Sequence, residues 1–248
     1  MNETIEQIQR RRSVRAFEPR PVEPGIRDLL LDCAFQAPTA GNQMFYTVLD
    51  ITDEALKAEL AELCDHQPFI ATAPIVWIFL ADGLRWLGTY RAAGLAPRPL
   101  GPGDALLCAA DALIAAQNVV VAAESLGLGS CYIGDVLENR ERMRDLLHLP
   151  HGVFPAAMVV VGWPTEKALA RRKPARFERE YVVFENAYRS LSPEEHREMH
   201  RRQQEKGGRV PPPFEASIEA FWKRKYESGF AVELNRSADG YLKDFGKG

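Results

Sequence analysis

The sequence predicts an α+β fold, with a central sheet flanked by helices, and three observations predict it. Residues 75–81 (I-V-W-I-F-L-A) and 156–161 (A-A-M-V-V-V) are short, uncharged apolar runs, as strands inside a sheet must be. Residues 104–126 are apolar over six helical turns, which makes a helix buried on most sides, in a core or against another subunit. Between these segments, strands and helices interleave irregularly instead of repeating a βαβ unit, which argues against a doubly wound sheet.

The remaining elements follow in order. Residues 4–12 read as a short helix with Ile5 and Ile8 on one face. Pro24 opens a second helix through about Phe35, with Ile26, Leu29, Leu30 and Cys33 at helical spacing. The run A-P-T-A-G-N-Q at 37–43 stops it, because Pro38 disfavours helix at Ala37 and Gly41 admits unusual backbone angles. Residues 45–51 form a strand, and Asp53 caps a helix over 54–64. A polar, Gly- and Pro-rich stretch occupies 82–103. Gly127 ends the long helix, 138–147 is helical, and 164–179 is loop-like and basic, with Lys167, Arg171, Arg172, Lys173 and Arg176. Beyond Ser192 the chain is charged and helical, is interrupted at 207–213, and closes in an amphipathic helix over 214–242. Two parts are expected: a core over 1–190 and a helical extension over 191–248.

Composition narrows the function. A hydrophobic share of 46% supports a full core, and 26% charged residues exclude a mainly disordered chain. A net charge of -3 argues against a nucleic-acid binder, which needs a basic face. The first residues, M-N-E-T-I-E-Q-I, lack the apolar centre of a signal peptide, and Asp111, Gln117, Asn118 and Glu124 interrupt the apolar run over 105–126. No membrane span is therefore expected. Cys33, Cys64, Cys108 and Cys131 lie far apart without a C-x-x-C pair and read as reduced thiols of a cytoplasmic protein. His196 and His200 stand at i, i+4, but no acidic third ligand completes the frame, so no metal is expected.

The strongest chemical signal is R-R-R-S-V-R at 10–15. Four arginines and a serine within six residues of an acidic chain point to a bound anion, since guanidinium forks grip phosphate and a hydroxyl completes the cradle. The alternative is a solvated basic helix end. G-L-G-S-C-Y-I-G at 127–134 imitates a dinucleotide fingerprint and fails it: the glycines follow a helix, and the third falls at Tyr132. No side chains form a convincing acid–base constellation.

Four motifs in order carry a resemblance: R-R-S-V-R at 11–15, A-P-T-A-G-N-Q at 37–43, D-A-L-I-A-A-Q-N-V-V-V-A-A-E-S-L-G-L-G-S-C-Y-I-G at 111–134, and G-W-P with K-P-A-R at 162–164 and 173–176. Together they resemble the nitroreductase family, in its oxygen-insensitive, NADPH-preferring branch of nitroreductases and flavin reductases. The resemblance covers about 4–188, and the C-terminal third matches loosely. It implies an α+β homodimer with FMN at the subunit interface, NADPH or NADH as reductant, and a small-molecule electron acceptor. Nucleic acid and membrane are not implied as partners.

The same resemblance places Arg11, Arg12, Ser13 and Arg15 at the FMN phosphate and ribityl chain, with Arg15 reaching the N1/O2 edge of the ring. Lys173 and Arg176 match the basic pair that closes on the phosphate, although this chain reads K-P-A-R where K-P-R is more usual. Gln67 matches a glutamine that hydrogen-bonds the flavin. Tyr132, Ile133 and Gly134 match the loop at N5 and the C4 carbonyl, and Pro38, Thr39, Ala40 and Asn42 match a loop from the second subunit. Arg201, Arg202 and Arg209 are the candidates for the extra phosphate of NADPH. Catalytic side chains are not expected, because flavin carries the hydride chemistry. Two other readings keep their place: the same fold with reductive dehalogenation or flavin fragmentation, where 82–103 would carry a lid, and a non-enzymatic anion or nucleic-acid binder.

Overall fold

A computed structural model of the chain describes residues 2–208, 210 and 212–248. Its contacts divide it into two units: residues through Arg171 together with Val232–Gly248, and Arg172–Ala231.

The first unit is built on four antiparallel strands in the order β1 (Tyr46–Asp50), β2 (Ile75–Asp82), β4 (Val153–Gly162), β3 (Gly129–Ile133). The sheet is wholly antiparallel, as an α+β fold requires. The two apolar runs are its central strands, and every residue of β4 is buried. Side chains alternate between faces, so Trp77, Phe79, Val159 and Val161 enter one core while Val76, Ile78, Met158 and Val160 enter the other. Over the first face lie α2 (Pro24–Phe35) and the long α5 (Pro102–Ser125). The second face is covered by α3 (Glu54–Leu63), whose N-terminus Asp53 caps by accepting from Leu56 N at 2.7 Å, and by α6 (Arg140–Leu146). Tyr241 and Phe245 of α10 (Gly229–Phe245) pack against Phe154 on the first face.

Five expectations are corrected. The first helix, α1 (Glu3–Arg10), ends two residues early, and the arginine run beyond it is extended: Arg11 has φ -49° and ψ 135°. Residues 82–103 contain a helix, α4 (Leu84–Ala92), held because Asp82 Oδ1 accepts from Leu84 N and Arg85 N. Residues 129–133 are a strand, which the glycines of G-L-G-S disguise. The closing helix is two, α9 (Phe214–Lys225) and α10, divided at Ser228, whose hydroxyl accepts from Ala231 N. A short α7 (Glu166–Ala170), capped by Thr165, lies in the basic segment.

In the second unit, α8 (Pro193–Lys206) opens with a Ser192–Glu195 capping box and packs on α9. His200 lies between the rings of Phe177 and Phe214. Among the described residues, no three His, Cys, Asp or Glu side chains gather as a metal site.

α5 is long and apolar enough to span a bilayer by length and composition alone, and here it lies along the sheet. Its buried side is lined with small residues, including Ala105, Cys108, Ala112, Ala115 and Ala116, which lets the backbone approach the strands. The opposite side exposes Leu106, Leu107, Leu113 and Ile114.

Candidate flavin site

The segment after α1 is laid against strand β3. Ser13 pairs with Ser130 in a parallel bridge, Val14 N donates to Ser130 O at 2.9 Å, and Glu18 N donates to Trp163 O at 2.8 Å. This close approach explains two glycines. A Cβ on Gly129 would stand 2.5 Å from Val14, and one on Gly162 would stand 2.6 Å from Pro74 and 2.9 Å from Phe17. Gly129 and Gly162 face each other in the β3–β4 register. One of the glycines that imitate a fingerprint, Gly129, thus makes room for the arm that carries the arginines.

The four arginines of the run have separate fates. Arg10 pairs with Glu124 at 3.8 Å. Arg12 donates to the backbone carbonyls of Leu169 and Arg171, the latter at 2.8 Å, which ties the arm to the end of α7. Arg11 and Arg15 have no carboxylate partner among the described residues, and both exert their charge on Cys131 beside Ser13. Burial dominates there and raises the Cys131 thiol despite the two cations. Elsewhere in this unit Arg27 is held by Asp50, Arg98 by Asp104 and Arg140 by Asp244. Two guanidinium groups without a carboxylate partner and a serine thus stand at the edge of one strand, the kind of groups that can grip an anion.

The far end of β3 leads into Gly134. A Cβ there would meet no atom of the chain within 4 Å. Tyr132 is half-buried against α5, its hydroxyl donating to Leu113 O at 3.4 Å, and Ile133 is buried on the other face. Burial raises the Tyr132 hydroxyl, with Arg11 opposing, so the phenol stays neutral.

Gln67 stands beside this turn. α3 ends at Leu63, and Asp65 and His66 both take positive φ, 61° and 51°, before Gln67 N returns to Ala61 O at 2.9 Å. Consecutive left-handed residues other than glycine cost energy and mark a turn that its surroundings hold in place. Gln67 Nε2 donates to Cys64 O at 2.7 Å and to Asp135 Oδ2 at 3.1 Å. Both partners are acceptors, which fixes the amide orientation and leaves Oε1 as the atom offered to a ligand.

Pro38, Thr39, Ala40 and Asn42 lie on a loop anchored at one buried carboxylate. Asp111 of α5, 3% exposed, accepts from the Thr39 hydroxyl, from Ala40 N at 3.1 Å and from Phe45 N at 3.1 Å. Thr39 Oγ1 in turn accepts from Met44 N at 2.8 Å. Asn42 takes φ 57° after Gly41 at 58°, and both are exposed. Beside the loop, a cavity of about 530 Å³ is lined by Ala40, Gly41, Trp86, Leu87, Tyr90 and Leu107.

Lys173 and Arg176 belong to the second unit, where Lys173 lines a small hollow with Arg172 and Gln203. Arg201 is held there by Glu198 and Glu205, and Arg202 by Glu198, Glu178 and Glu180, so neither guanidinium is left open for a phosphate. Arg209 lies outside the described residues.

Of the residues that sequence reading assigned to one site, the structure brings together Arg11, Ser13, Arg15 and Tyr132, and separately Gln67 and the turn at Gly134. It missed the supporting carboxylates. Asp111 had a signal, since an acid in the middle of an apolar helix must find donors. Asp135 had none, because its partner is 68 residues away in sequence.

A model of the nitroreductase family matches residues 8–163. The chain belongs to the nitroreductase family. It is 36% identical over 194 residues to the oxygen-insensitive NADPH nitroreductase of Salmonella typhimurium, covering 77% of each chain. It is 30% identical over 197 residues to an FMN reductase [NAD(P)H] of Bacillus subtilis, covering 76% of this chain and 75% of that one. The solved NfrA1 nitroreductase of B. subtilis superposes with a TM-score of 0.80 at 26% identity, over 98% of each chain. The nitroreductase fold thus extends through the C-terminal region, where the sequence motifs fade.

Proposed function

We propose that this nitroreductase-family protein is an FMN-dependent NAD(P)H oxidoreductase that reduces nitroaromatics, quinones or flavins by a ping-pong mechanism. The observation that carries the reading is the pair of unpaired arginines beside Ser13 at one end of β3, with Gln67 Oε1 and open Gly134 at the other. Cations and a hydroxyl suit a phosphate. An amide oxygen and a turn without a side chain suit the polar edge of a planar ring. The residues present therefore fit FMN.

FMN, when bound, would supply the hydride chemistry between NADPH or NADH and the acceptor. The chain supplies binding, orientation and charge. Arg11 and Ser13 hold the phosphate, with Arg12 securing the arm from behind. Arg15 places positive charge where the reduced ring is negative, at N1/O2. Gln67 would accept from a ring N–H, and the backbone at Tyr132, Ile133 and Gly134 would lie along the ring. Lys173 and Arg176, in the second unit, are the further candidates for the phosphate.

The active form is a homodimer. The exposed apolar side of α5, with Leu106, Leu107, Leu113 and Ile114, is the face for a second copy, and the loop Pro38–Asn42 serves the partner's flavin. Of the extension over 191–248, the part up to Ala231 packs on or around that partner, while residues 232–248 stay with the core of their own chain. The cavity between Trp86, Tyr90 and Leu107 then takes part of a small aromatic acceptor. The cytoplasm, where all four cysteines stay unpaired as they are here, is its compartment.

Initial rates with NADPH and a quinone both varied test the mechanism. Parallel double-reciprocal lines are expected, because donor and acceptor share one flavin face. Intersecting lines would require a ternary complex and contradict a shared site.

A further inference from the structure

One buried acid plays no part in the site as described so far. Glu138 is 7% exposed, and its Oε1 atom has no hydrogen-bond partner. The side chain lies within hydrogen-bonding reach of the Asp135 carboxylate, which is the group that receives the Gln67 amide.

The charges around Glu138 are of its own sign. Asp65 faces it from the turn after α3, Asp135 from the 3-10 turn Asp135–Leu137, and Glu233 from α10. Neighbouring basic side chains are engaged elsewhere: His66 with Glu62, Arg140 of α6 with Asp244 and Glu141, and Arg236 of α10 with Glu141 and Glu233. Glu233 is a fixed anion, because Arg236 holds its carboxyl down at about 2 while Ser237 Oγ and Asn139 N donate to it. Burial first, and then Asp135, Asp65 and Glu233, push Glu138 up to about 7. Two adjacent carboxyl groups in such surroundings cannot both ionise without large cost, and one proton between them relieves the repulsion.

We propose that Glu138 is a positioning residue for the flavin: its proton, shared with Asp135, holds that carboxylate where it receives the Gln67 amide and so aims Gln67 Oε1 at the ring. This rests on the FMN reading above. When the proton is released to water, two like charges face each other, Asp135 turns away, and the amide loses its support. A negative pair beside the ring also opposes the charge that reduction places there.

Wild type is compared with Glu138→Gln, which keeps a donor toward Asp135 and cannot titrate, and with Asp135→Asn, which removes one charge of the pair. Fluorescence titration should show the wild-type FMN dissociation constant rising at least threefold between pH 6 and 8.5, with a midpoint near neutrality. Glu138→Gln should hold the low-pH value throughout, and Asp135→Asn should flatten the profile. A second readout needs no flavin. The side-chain amide NMR signals of Gln67 in flavin-free protein should move with pH in the wild type and stay still in Glu138→Gln. Superimposable FMN profiles, or a Gln67 signal that titrates identically in both proteins, would overturn the proposal. Wild type that takes up no FMN at any pH would overturn the functional reading instead, and the amide titration would still decide the relay.

Discussion

A Cβ placed on Gly134 meets nothing in the chain, and its φ of -86° suits any residue. Gly134→Ala should therefore leave stability unchanged, and FMN lost by it is lost to direct contact. The arginines divide the work differently. Arg11→Ala should weaken FMN retention tenfold to hundredfold, since a charge-assisted contact contributes about 1.5–3 kcal/mol. Arg15→Ala should also lower the midpoint potential of the bound flavin, because it removes charge from the reduced ring. Redox titration of refilled variants decides, and a potential lowered by Arg11→Ala but not by Arg15→Ala would reverse the two roles. Glu138 gives a stability test that needs no flavin. Its folded value, about 7, lies above the ordinary 4.5, so the fold favours the neutral acid. That contribution is complete below pH 4.5 and is lost as pH rises through 7. Urea unfolding should find Glu138→Gln more stable than wild type by roughly 1–3 kcal/mol at pH 8.5 and nearly equal at pH 5. An equal difference at both values would show that the carboxyl does not titrate there. The arginine run stood out in the sequence because its residue types announce anion chemistry, whereas Gln67 was reached only through the family resemblance. Asp111, Asp135 and Glu138 were less so, because a supporting carboxylate is defined by donors far away in sequence.

Strand β3 shows why element boundaries were harder to read than element existence. Its residues, G-S-C-Y-I, follow directly on a helix and a Gly-Leu pair, and nothing local marks a strand. The cause is tertiary: the arm from Ser13 to Glu18 lies so close that Gly129 and Gly162 cannot carry side chains. Gly129→Ala should accordingly displace Val14, destabilise the protein by about 1–3 kcal/mol, and weaken FMN through the neighbouring Ser13 and Arg15. Thermal unfolding and FMN titration of this variant check both effects, and a variant with native FMN affinity would show that the arm does not hold the site. β2 and β4 were legible because burial on both faces leaves an unbroken apolar run. α4 was hidden by the glycines and prolines around it, and the break between α9 and α10 by continuous amphipathic spacing.

At the scale of the whole molecule, the α+β class and the nitroreductase family were both legible, from irregular alternation and from four motifs in order. Assembly and reductant choice were not. An apolar helix face reads alike whether it meets a core or another subunit, and α5 does the first on one side while leaving Leu106, Leu113 and Ile114 open on the other. The carboxylate partners of Arg201 and Arg202 likewise appear only in three dimensions. The proposal that unites the levels is that β3 and the arm beside it hold a planar, phosphorylated cofactor. Its central claim is that this cofactor is FMN and that reduced nicotinamide nucleotide reduces it. The direct measurement is anaerobic spectroscopy of the purified protein, loaded with FMN and freed of excess by gel filtration. Flavin absorption should stay with the protein, bleach on adding NADPH or NADH alone, and return on adding a quinone. A protein that leaves the column colourless, or a bound flavin that neither nucleotide bleaches, would contradict it.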